Sequence, residues 1–430
     1  MGSNIQLHTI MRIKSIFILC TLFLSSISFS QIKKHVLFLG NSYTSVNNLP
    51  QMVADVALSA SDTLVFDSNA PGGNTLQQHS VNPVSLNKIY VGNWDYVVLQ
   101  EQSQLPSFPI SQVQSDVFPY AKNLNDTIKK YNACAETMFY MTWGKKNGDA
   151  SNCVSWPPVC TYQGMDSLLN ERYMTMATDN NAVVSPVGAA RNYIRANFPG
   201  IELYVGDESH PTVTGSYVAA CCFYSVIFRK SPLLISNDYG LLTADALNIR
   251  NAVKTIVYDS LSMWFIGKYD PIADFTESVV ATNTLSFANQ STNATTYHWE
   301  FGDGASSSIE NPTHMYANPG SYQVSLIASH CSHSDTLEMT VNEQTMGINE
   351  NGLASEIVEV YPNPIKDKLT ILSSNIQEVT LFSLSGQKMN CTLHKEGKTN
   401  TLDLSTISAG TYLLVITTSE GVFNQRIVKD

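Results

Sequence analysis

The sequence predicts an α/β domain with a parallel sheet, followed by two small all-β modules. Three observations lead to this fold class. Apolar strand-like runs alternate with helical stretches over residues 31–268, as in a parallel sheet covered by helices on both faces. Short alternating runs separated by turn residues then fill residues 271–342, and a similar pattern covers residues 357–430. The polar stretch 343–356 between the two β modules is predicted to be a linker.

The N-terminus has the pattern of an export signal. Arg12 and Lys14 form a short basic region, residues 16–24 are apolar, and Ser28-Phe29-Ser30 resembles a cleavage site. The apolar run is too short to span a bilayer comfortably. We therefore expect residues 1–30 to be a signal peptide with an N-terminal extension, and the mature chain to be secreted or attached to the cell surface.

Five apolar runs are the candidate strands of the α/β domain, and two stretches have helical periodicity. Nearly continuous apolar character is expected of strands that are covered on both faces. The candidate strands are His35–Leu39, Thr63–Ser68, Tyr96–Gln100, Glu136–Trp143 and Asn181–Pro186. The helical stretches are MDSLLNERYMTMATDNN (165–181) and VTGSYVAACCFYSVIFRK (213–230).

The composition excludes some classes of partner. The chain of 430 residues is 43% hydrophobic and 14% charged, with a formal net charge of −11. Nucleic acids and anionic membranes need a basic protein face, so we expect neither to be the main partner.

Eight cysteines are present, and none has the spacing of a zinc site. Cys153 and Cys160 could close a short loop by a disulfide in an oxidising compartment. Cys221 and Cys222 lie in an apolar helical stretch, which favours buried free thiols. Cys134, Cys331 and Cys391 have no obvious partner in the sequence.

Ser42 lies in the segment HVLFLGNSYTS (35–45), where an apolar run stops at Gly40. A serine after a glycine is common turn chemistry, so Ser42 is either an ordinary loop residue or a nucleophile presented by the turn. A nucleophile needs a base and an oxyanion site elsewhere in the chain.

The segment YVGDESHPTVTGSYVAA (204–220) could supply the base. Asp207 and His210 stand three residues apart, just before a predicted helix. His210 could accept the Ser42 proton while Asp207 orients the ring and stabilises the imidazolium. A histidine near an aspartate on a surface loop is also common without any function.

Two further segments could supply oxyanion donors. Gly72-Gly73-Asn74 follows a strand, and a glycine there lets the backbone approach a ligand and present its N–H group. Gln100, Glu101 and Gln102 lie at the end of another strand, where ligands bind in open α/β sheets. Gly73 could instead belong to a simple turn, and Gln102 could only cap a helix.

Together these segments resemble the motif blocks of the SGNH (GDSL-like) hydrolases. GNSYT resembles the first block, GNT (73–75) the second, and DESHPTVTGSYVAA (207–220) the fifth. The third block departs, because Gln100-Glu101-Gln102-Ser103 replaces the usual Gly-x-Asn-Asp. The resemblance covers residues 35 to about 230 and is closest to an exported Bacteroidetes branch of the family.

The resemblance implies a three-layer α/β/α, flavodoxin-like domain with Ser42, Asp207 and His210 as catalytic residues. It also implies an oxyanion hole built from the N–H groups of Ser42 and Gly73 and the Gln102 side chain, with Gln100 as the alternative donor. No metal or cofactor is implied.

The two β modules also resemble known domains. YHWEFGDGASSSIENPTHMYANPGSYQVSLIAS (297–329) resembles a PKD domain, an immunoglobulin-like sandwich in which Trp299 is core and Gly302-Asp303-Gly304 is a turn. Tyr361-Pro362-Asn363-Pro364 and Gly410-Thr411-Tyr412 resemble a type IX secretion C-terminal sorting domain. The second resemblance implies the type IX secretion machinery as a partner.

The sequence favours a secreted ester hydrolase that removes short acyl groups, acetyl in particular, from a carbohydrate or another small ester. The alternative is a non-catalytic carbohydrate-binding or adhesion protein on a degenerate hydrolase scaffold. Trp143, Trp156 and Tyr162 either line the mouth of the site as a sugar platform or pack beneath a surface loop.

Overall fold

The structure, a computed structural model, describes residues 31–281, 283–343, 358–373, 375–383, 387–419 and 422–430. The predicted signal peptide and residues 344–356 of the predicted linker lie outside the described residues. The chain divides into two compact units, one ending at Gln344 and the other beginning at Thr345.

The first unit begins with a five-stranded parallel sheet in the order β2-β1-β3-β4-β5. This is the flavodoxin-like order of a doubly wound sheet, so the predicted fold class is confirmed. The predicted fourth and fifth strands were too long, because residues 141–143 leave the ladder and Pro186 has no N–H with which to extend it. The strands are β1 (Lys33–Leu39), β2 (Thr63–Asn69), β3 (Tyr96–Leu99), β4 (Glu136–Tyr140) and β5 (Val183–Ser185).

Helices cover both faces of this sheet. Right-handed crossovers place the helix after β1 and those after β5 on one face, and the intervening helices on the other. The helices are α1 (Ser42–Ser45), α2 (Leu49–Ser59), α3 (Leu76–Val81), α4 (Pro83–Tyr90), α5 (Ile110–Asp116), α6 (Phe118–Tyr131), α7 (Tyr162–Asp179), α8 (Val187–Asn197), α9 (Val213–Phe228) and α10 (Thr243–Ile256). Both predicted helices are present, as α7 and α9. Helix α9 is buried along nearly its whole length, as expected of a helix that is apolar on all sides.

An antiparallel sandwich completes the first unit. Its sheets have the orders β10-β7-β6 and β12-β11-β8-β9. Trp299 is fully buried between them against Phe275 and Phe287, which confirms it as core. The strands are β6 (Phe275–Ala281), β7 (Thr284–Asn289), β8 (Thr296–Glu300), β9 (Ser306–Ser307), β10 (Thr313–Met315), β11 (Gly320–His330) and β12 (His333–Glu343).

A disulfide between Cys134 and Cys331 joins the α/β domain to this sandwich. The sequence did not indicate the pairing, because the two cysteines are 197 residues apart. The predicted Cys153–Cys160 disulfide is present, and Cys221 and Cys222 are buried thiols as expected.

The second unit is another antiparallel sandwich, with sheet orders β13-β14-β18-β17 and β16-β15-β19-β20. Its core is aliphatic and includes Leu369, Leu402 and Leu414. The strands are β13 (Glu359–Tyr361), β14 (Lys368–Leu372), β15 (Ile376–Ser383), β16 (Lys388–Met389), β17 (Thr392–Glu396), β18 (Thr399–Asp403), β19 (Gly410–Thr418) and β20 (Val422–Lys429). None of the helices in the described residues has both the length and the apolar character needed to cross a membrane.

Candidate active site

The sequence-predicted residues meet at the carboxyl edge of the parallel sheet. Ser42 follows β1, Gly73 follows β2 and Gln102 follows β3. Asp207 and His210 lie in the segment between α8 and α9, which we call the base loop (residues 205–211). The site therefore occupies the edge where open α/β sheets bind their ligands.

Ser42 is presented by a tight turn over residues 40–44, which we call the nucleophile turn. A Cβ atom at Gly40 would lie 2.4 Å from Thr44 Oγ1 and 2.6 Å from Gln100 Oε1, so only glycine fits there. The Asn41 side chain accepts the Tyr43 N–H at 3.2 Å and caps helix α1. These contacts place Ser42 at the first residue of that helix.

The Gln100 side chain forms hydrogen bonds with Asn41 and Thr44 of the nucleophile turn. Its Oε1 accepts the Asn41 N–H and the Thr44 hydroxyl, both at 2.9 Å. Its Nε2 donates to Asn41 Oδ1 at 2.8 Å and to the Glu101 carbonyl at 2.6 Å. The side chain is fully buried and both amide hydrogens are engaged, so the alternative oxyanion donor has no hydrogen free for a ligand.

Ser42, His210 and Asp207 form a continuous hydrogen-bonded relay. His210 Nε2 lies 2.8 Å from Ser42 Oγ, and His210 Nδ1 lies 2.5 Å from Asp207 Oδ2. Asp207 Oδ1 accepts the N–H groups of Ser209 and His210, each at 2.9 Å. Burial alone would raise the pKa of Asp207, but these hydrogen bonds hold it below its usual value. Asp207 is thus a stable anion that can orient His210.

The relay is open to solvent. The side chains of His210 and Asp207 are 34% and 49% exposed. Gly73 has a φ of +70°, and a Cβ atom there would have nothing within 4 Å. The Gly72-Gly73 turn therefore has open space beside it at the same edge of the sheet.

Two backbone donors beside the relay are unoccupied. Among the described residues, the N–H groups of Ser42 and Gly73 donate to no protein acceptor. Free N–H groups next to a nucleophile can stabilise the oxyanion of a tetrahedral intermediate.

Gln102 has one amide hydrogen left over. Its Oε1 accepts the N–H groups of Gln104 and Leu105 at 2.8 and 3.0 Å. Its Nε2 donates to Gln104 Oε1 at 3.1 Å. The side chain thus caps the 3-10 turn Leu105–Ser107, and its donation to an oxyanion stays a prediction.

Asn74 is a candidate donor that the sequence reasoning missed. Its Nδ2 is buried and has no hydrogen-bond partner in the described part of the chain. Its carbonyl accepts from Asn41 Nδ2 at 2.9 Å, which ties the residue to the nucleophile turn. The sequence did carry a signal for it, because Asn74 directly follows Gly73 in the segment that resembles the second motif block.

Glu101 is a buried carboxyl group beside the site. It accepts the Leu76 N–H at 3.2 Å and the Gln102 N–H at 2.5 Å, and so links the end of β3 to helix α3. Burial raises the pKa of Glu101 to about 8, although both hydrogen bonds act against the rise.

Two of the three aromatic residues that could have formed a sugar platform pack in the interior instead. Trp143 is 0% exposed and Tyr162 is 4% exposed, so both pack in the interior and the platform interpretation is wrong for them. Trp156 is half-buried and donates its indole N–H to the Ser107 carbonyl at 3.0 Å. An aromatic residue gives the same sequence signal whether it lines a mouth or packs under a loop.

One group of side chains in the described residues has metal-ligand geometry, remote from Ser42. Potential ligand atoms of Glu136, Asp270 and His333 lie within 4.8 Å of one another. Arg229 pairs with Asp270 and lies 3.7 Å from Glu136. Because this guanidinium already pairs with Asp270 and lies beside Glu136, we assign no metal to the group.

Family comparisons identify the two β modules. Residues 269–342 match the PKD domain family, and residues 359–430 match the secretion system C-terminal sorting domain family. Both resemblances are confirmed. The sorting domain match indicates an exported protein that engages the type IX secretion machinery. A comparison with curated protein sequences gave no match.

Several solved structures resemble parts of the chain. A DUF4886 family protein from Bacteroides uniformis is 16% identical, with 54% of this chain and 95% of that chain covered and a TM-score of 0.46. A protein from Slackia heliotrinireducens assigned to the SGNH hydrolases is 26% identical, with 45% and 99% covered and a TM-score of 0.38. The PKD1 domain of a Vibrio cholerae metalloprotease, PrtV, is 32% identical, with 18% and 99% covered and a TM-score of 0.17. The fold assignment rests on the strand order described above.

Proposed function

We propose that the chain is an exported serine ester hydrolase that removes short acyl groups, acetyl in particular, from a carbohydrate. The observation that supports this best is the relay from Ser42 through His210 to Asp207, with distances of 2.8 and 2.5 Å. A serine hydroxyl that donates to a histidine held by a carboxylate is the arrangement of an activated nucleophile.

The first half-reaction forms an acyl-enzyme. Ser42 Oγ attacks the ester carbonyl carbon while its proton passes to His210 Nε2. The N–H groups of Ser42 and Gly73, with the Gln102 amide, hold the oxyanion. The carbon–oxygen bond to the alcohol then breaks, and His210 gives its proton to the departing oxygen.

The second half-reaction releases the acid. His210 accepts a proton from water, and the resulting hydroxide oxygen attacks the acyl carbonyl carbon through the same oxyanion site. The bond to Ser42 Oγ breaks, and the proton returns from His210 to Ser42. Every proton is carried by His210, so these steps require only groups of this chain and water.

The surroundings of the relay support a polar alcohol and a short acyl group. Partly exposed amides and hydroxyls, including Gln102, Ser103 and Gln104, follow β3 at the same edge of the sheet, and such groups suit sugar hydroxyls better than alkyl chains. The open side at Gly73 suits a substrate with a large alcohol part. Exported enzymes that carry PKD modules often act on polysaccharides, and this analogy agrees with a carbohydrate substrate.

Ser42→Ala should abolish covalent labelling by a fluorophosphonate and lower ester turnover by several orders of magnitude, because it removes the nucleophile. Intact mass spectrometry and p-nitrophenyl acetate hydrolysis measure the two effects. Ser45→Ala is the matched control, since Ser45 ends the same short helix and is exposed. Normal turnover by Ser42→Ala would refute the assignment.

The acyl preference should be short. On p-nitrophenyl esters, kcat/KM should fall steeply from acetate to octanoate, because a site built for acetyl excludes longer chains sterically. Acetylated xylan and pectin should release acetate, as measured by an enzymatic acetate assay. A maximum at octanoate would instead favour a lipase-like or thioesterase-like activity.

A further inference from the structure

We infer that Tyr43 is a positioning residue that fixes the base loop to the nucleophile turn. The inference rests on the proposed function, since it concerns the geometry of the same relay. It assigns a role to the residue next to the nucleophile, which no motif argument singled out.

A single hydrogen bond links the neighbours of the catalytic residues. Tyr43 follows Ser42 in the chain, and its hydroxyl lies 2.7 Å from Ser209 Oγ. Ser209 precedes His210, and its N–H donates to Asp207 Oδ1 at 2.9 Å. A shift at Ser209 would therefore move both the base and the carboxylate that orients it.

Trp143 contacts both Tyr43 and Ser209. The ring of Tyr43 stacks on Trp143 with centroids 4.5 Å apart and planes 5° apart. The indole N–H of Trp143 donates to the Ser209 carbonyl at 3.1 Å. The Arg191 guanidinium lies 3.8 Å from the Trp143 ring, which adds a cation–π contact. All three side chains are at most 2% exposed, so Ser209 is attached to a rigid interior.

The base loop needs such an attachment. Its catalytic side chains are partly exposed, and Glu208 has a φ of +62°, a left-handed conformation that is uncommon for glutamate. Such a backbone persists only where its surroundings impose it. The hydroxyl and carbonyl of Ser209, immediately after this residue, are the groups that Tyr43 and Trp143 hold.

The Tyr43 hydroxyl stays protonated near neutral pH, so its hydrogen bond with Ser209 persists there. Burial raises the pKa of Tyr43 to about 12, although hydrogen bonds with Ser209 and Ser103 act against the rise. Tyr43 is thus a neutral phenol that can hold Ser209 without placing a negative charge beside Asp207. The ring also meets His210 edge-on at 5.4 Å, which restricts the imidazole on that side.

The test is a double-mutant cycle with Tyr43→Phe and Ser209→Ala in the full chain. Each substitution removes one partner of the hydrogen bond and leaves the Trp143 contact with the Ser209 carbonyl in place. We expect kcat on p-nitrophenyl acetate to fall about ten-fold in each single variant, with KM little changed. The double variant should be no slower than the singles, because both remove the same contact.

Tyr239→Phe is the matched control, since the Tyr239 hydroxyl donates to Asp55 at 3.1 Å elsewhere in the domain. It should leave kcat unchanged. Hydrogen exchange of the peptide spanning residues 205–211 should be faster in Tyr43→Phe and in Ser209→Ala than in the wild type or the control.

If the wild type is active, two results would overturn the inference. One is a wild-type kcat in both single variants. The other is a double variant whose fold-decrease in kcat equals the product of the fold-decreases of the single variants. Unchanged exchange in residues 205–211 would also overturn it, whatever the activity. A wild-type chain that neither reacts with the fluorophosphonate nor turns over esters would refute the proposed function itself and, with it, the positioning role of Tyr43 in catalysis.

Discussion

Two carboxamides beside Ser42 could donate to an oxyanion, and their environments differ. Gln102 is partly exposed, and one hydrogen of its Nε2 remains after the bond to Gln104. Asn74 is buried, and its Nδ2 has no partner among the described residues. Position in the third motif block favours Gln102, whereas a buried, unpaired donor beside a nucleophile is unusual enough to need a reason.

Gln102→Ala should lower kcat about 100- to 1000-fold with little change in KM, as loss of one oxyanion donor typically does. Asn74→Ala should have the smaller effect. Steady-state kinetics on p-nitrophenyl acetate measure both, and melting temperatures show whether the variants are folded. The reverse ranking would move the donor role to Asn74.

The three residues of the relay could be predicted because the proposed chemistry demands particular side chains. Serine, aspartate and histidine in this order along the chain, together with glycine-bearing turns, leave few alternatives for such a relay. Trp143 shows where this reasoning fails. Its ring stacks on Tyr43 and its indole N–H binds the base loop, a role that only the tertiary structure reveals.

At the scale of elements, the end of β3 is joined to the start of helix α3 through Glu101. The carboxyl group is fully buried and accepts the N–H groups of Leu76 and Gln102. Since burial raises the pKa of Glu101 from 4.5 to about 8, the folded state binds more protons than the unfolded state between these pH values. The free energy of unfolding should therefore fall as pH rises through this window.

Glu101→Gln should remove much of that dependence, because glutamine keeps one acceptor oxygen and cannot ionise. Between pH 5 and 8 the wild type should lose about 3 kcal/mol more than the variant. Urea unfolding at several pH values measures the difference. Burial also raises the pKa of Asp166, to about 6, so a residual slope below that pH should remain in the variant. Parallel pH profiles for the two proteins would contradict the prediction.

The existence of the parallel strands followed from the sequence, but their lengths did not. Apolar runs predicted all five strands of the parallel sheet. The length of β5, three residues from Val183 to Ser185, is set by its pairing with β4 at the edge of the sheet. Register and pairing depend on the neighbouring strand, which a single run of residues does not contain.

For the whole molecule, the main unpredicted feature is the link between the α/β domain and the PKD module. Cys134 precedes β4 and Cys331 lies in the turn between β11 and β12. Arg229 after helix α9 also pairs with Asp270, just before the sandwich. Local sequence gave no sign of this link, because each partner lies far from the other along the chain.

Replacing Cys134 and Cys331 by serine should lower the free energy of unfolding by about 2–4 kcal/mol, because the cross-link closes a long loop of the unfolded chain. The kcat on p-nitrophenyl acetate should stay unchanged, since Cys134 lies at the opposite edge of the sheet from Ser42. Chemical denaturation and steady-state kinetics test the two parts. A large fall in kcat in a folded double variant would mean that the PKD module shapes the active site.

The Cys134–Cys331 bridge also limits how freely the two domains can be exchanged. A chimera that joins this sandwich to another catalytic domain would lack Cys134, so Cys331 would be left as a free, reactive thiol. A chimera that keeps the disulfide must include both the cysteine before β4 and the one in the β11–β12 turn. The two domains should therefore be transferred together as a cross-linked pair.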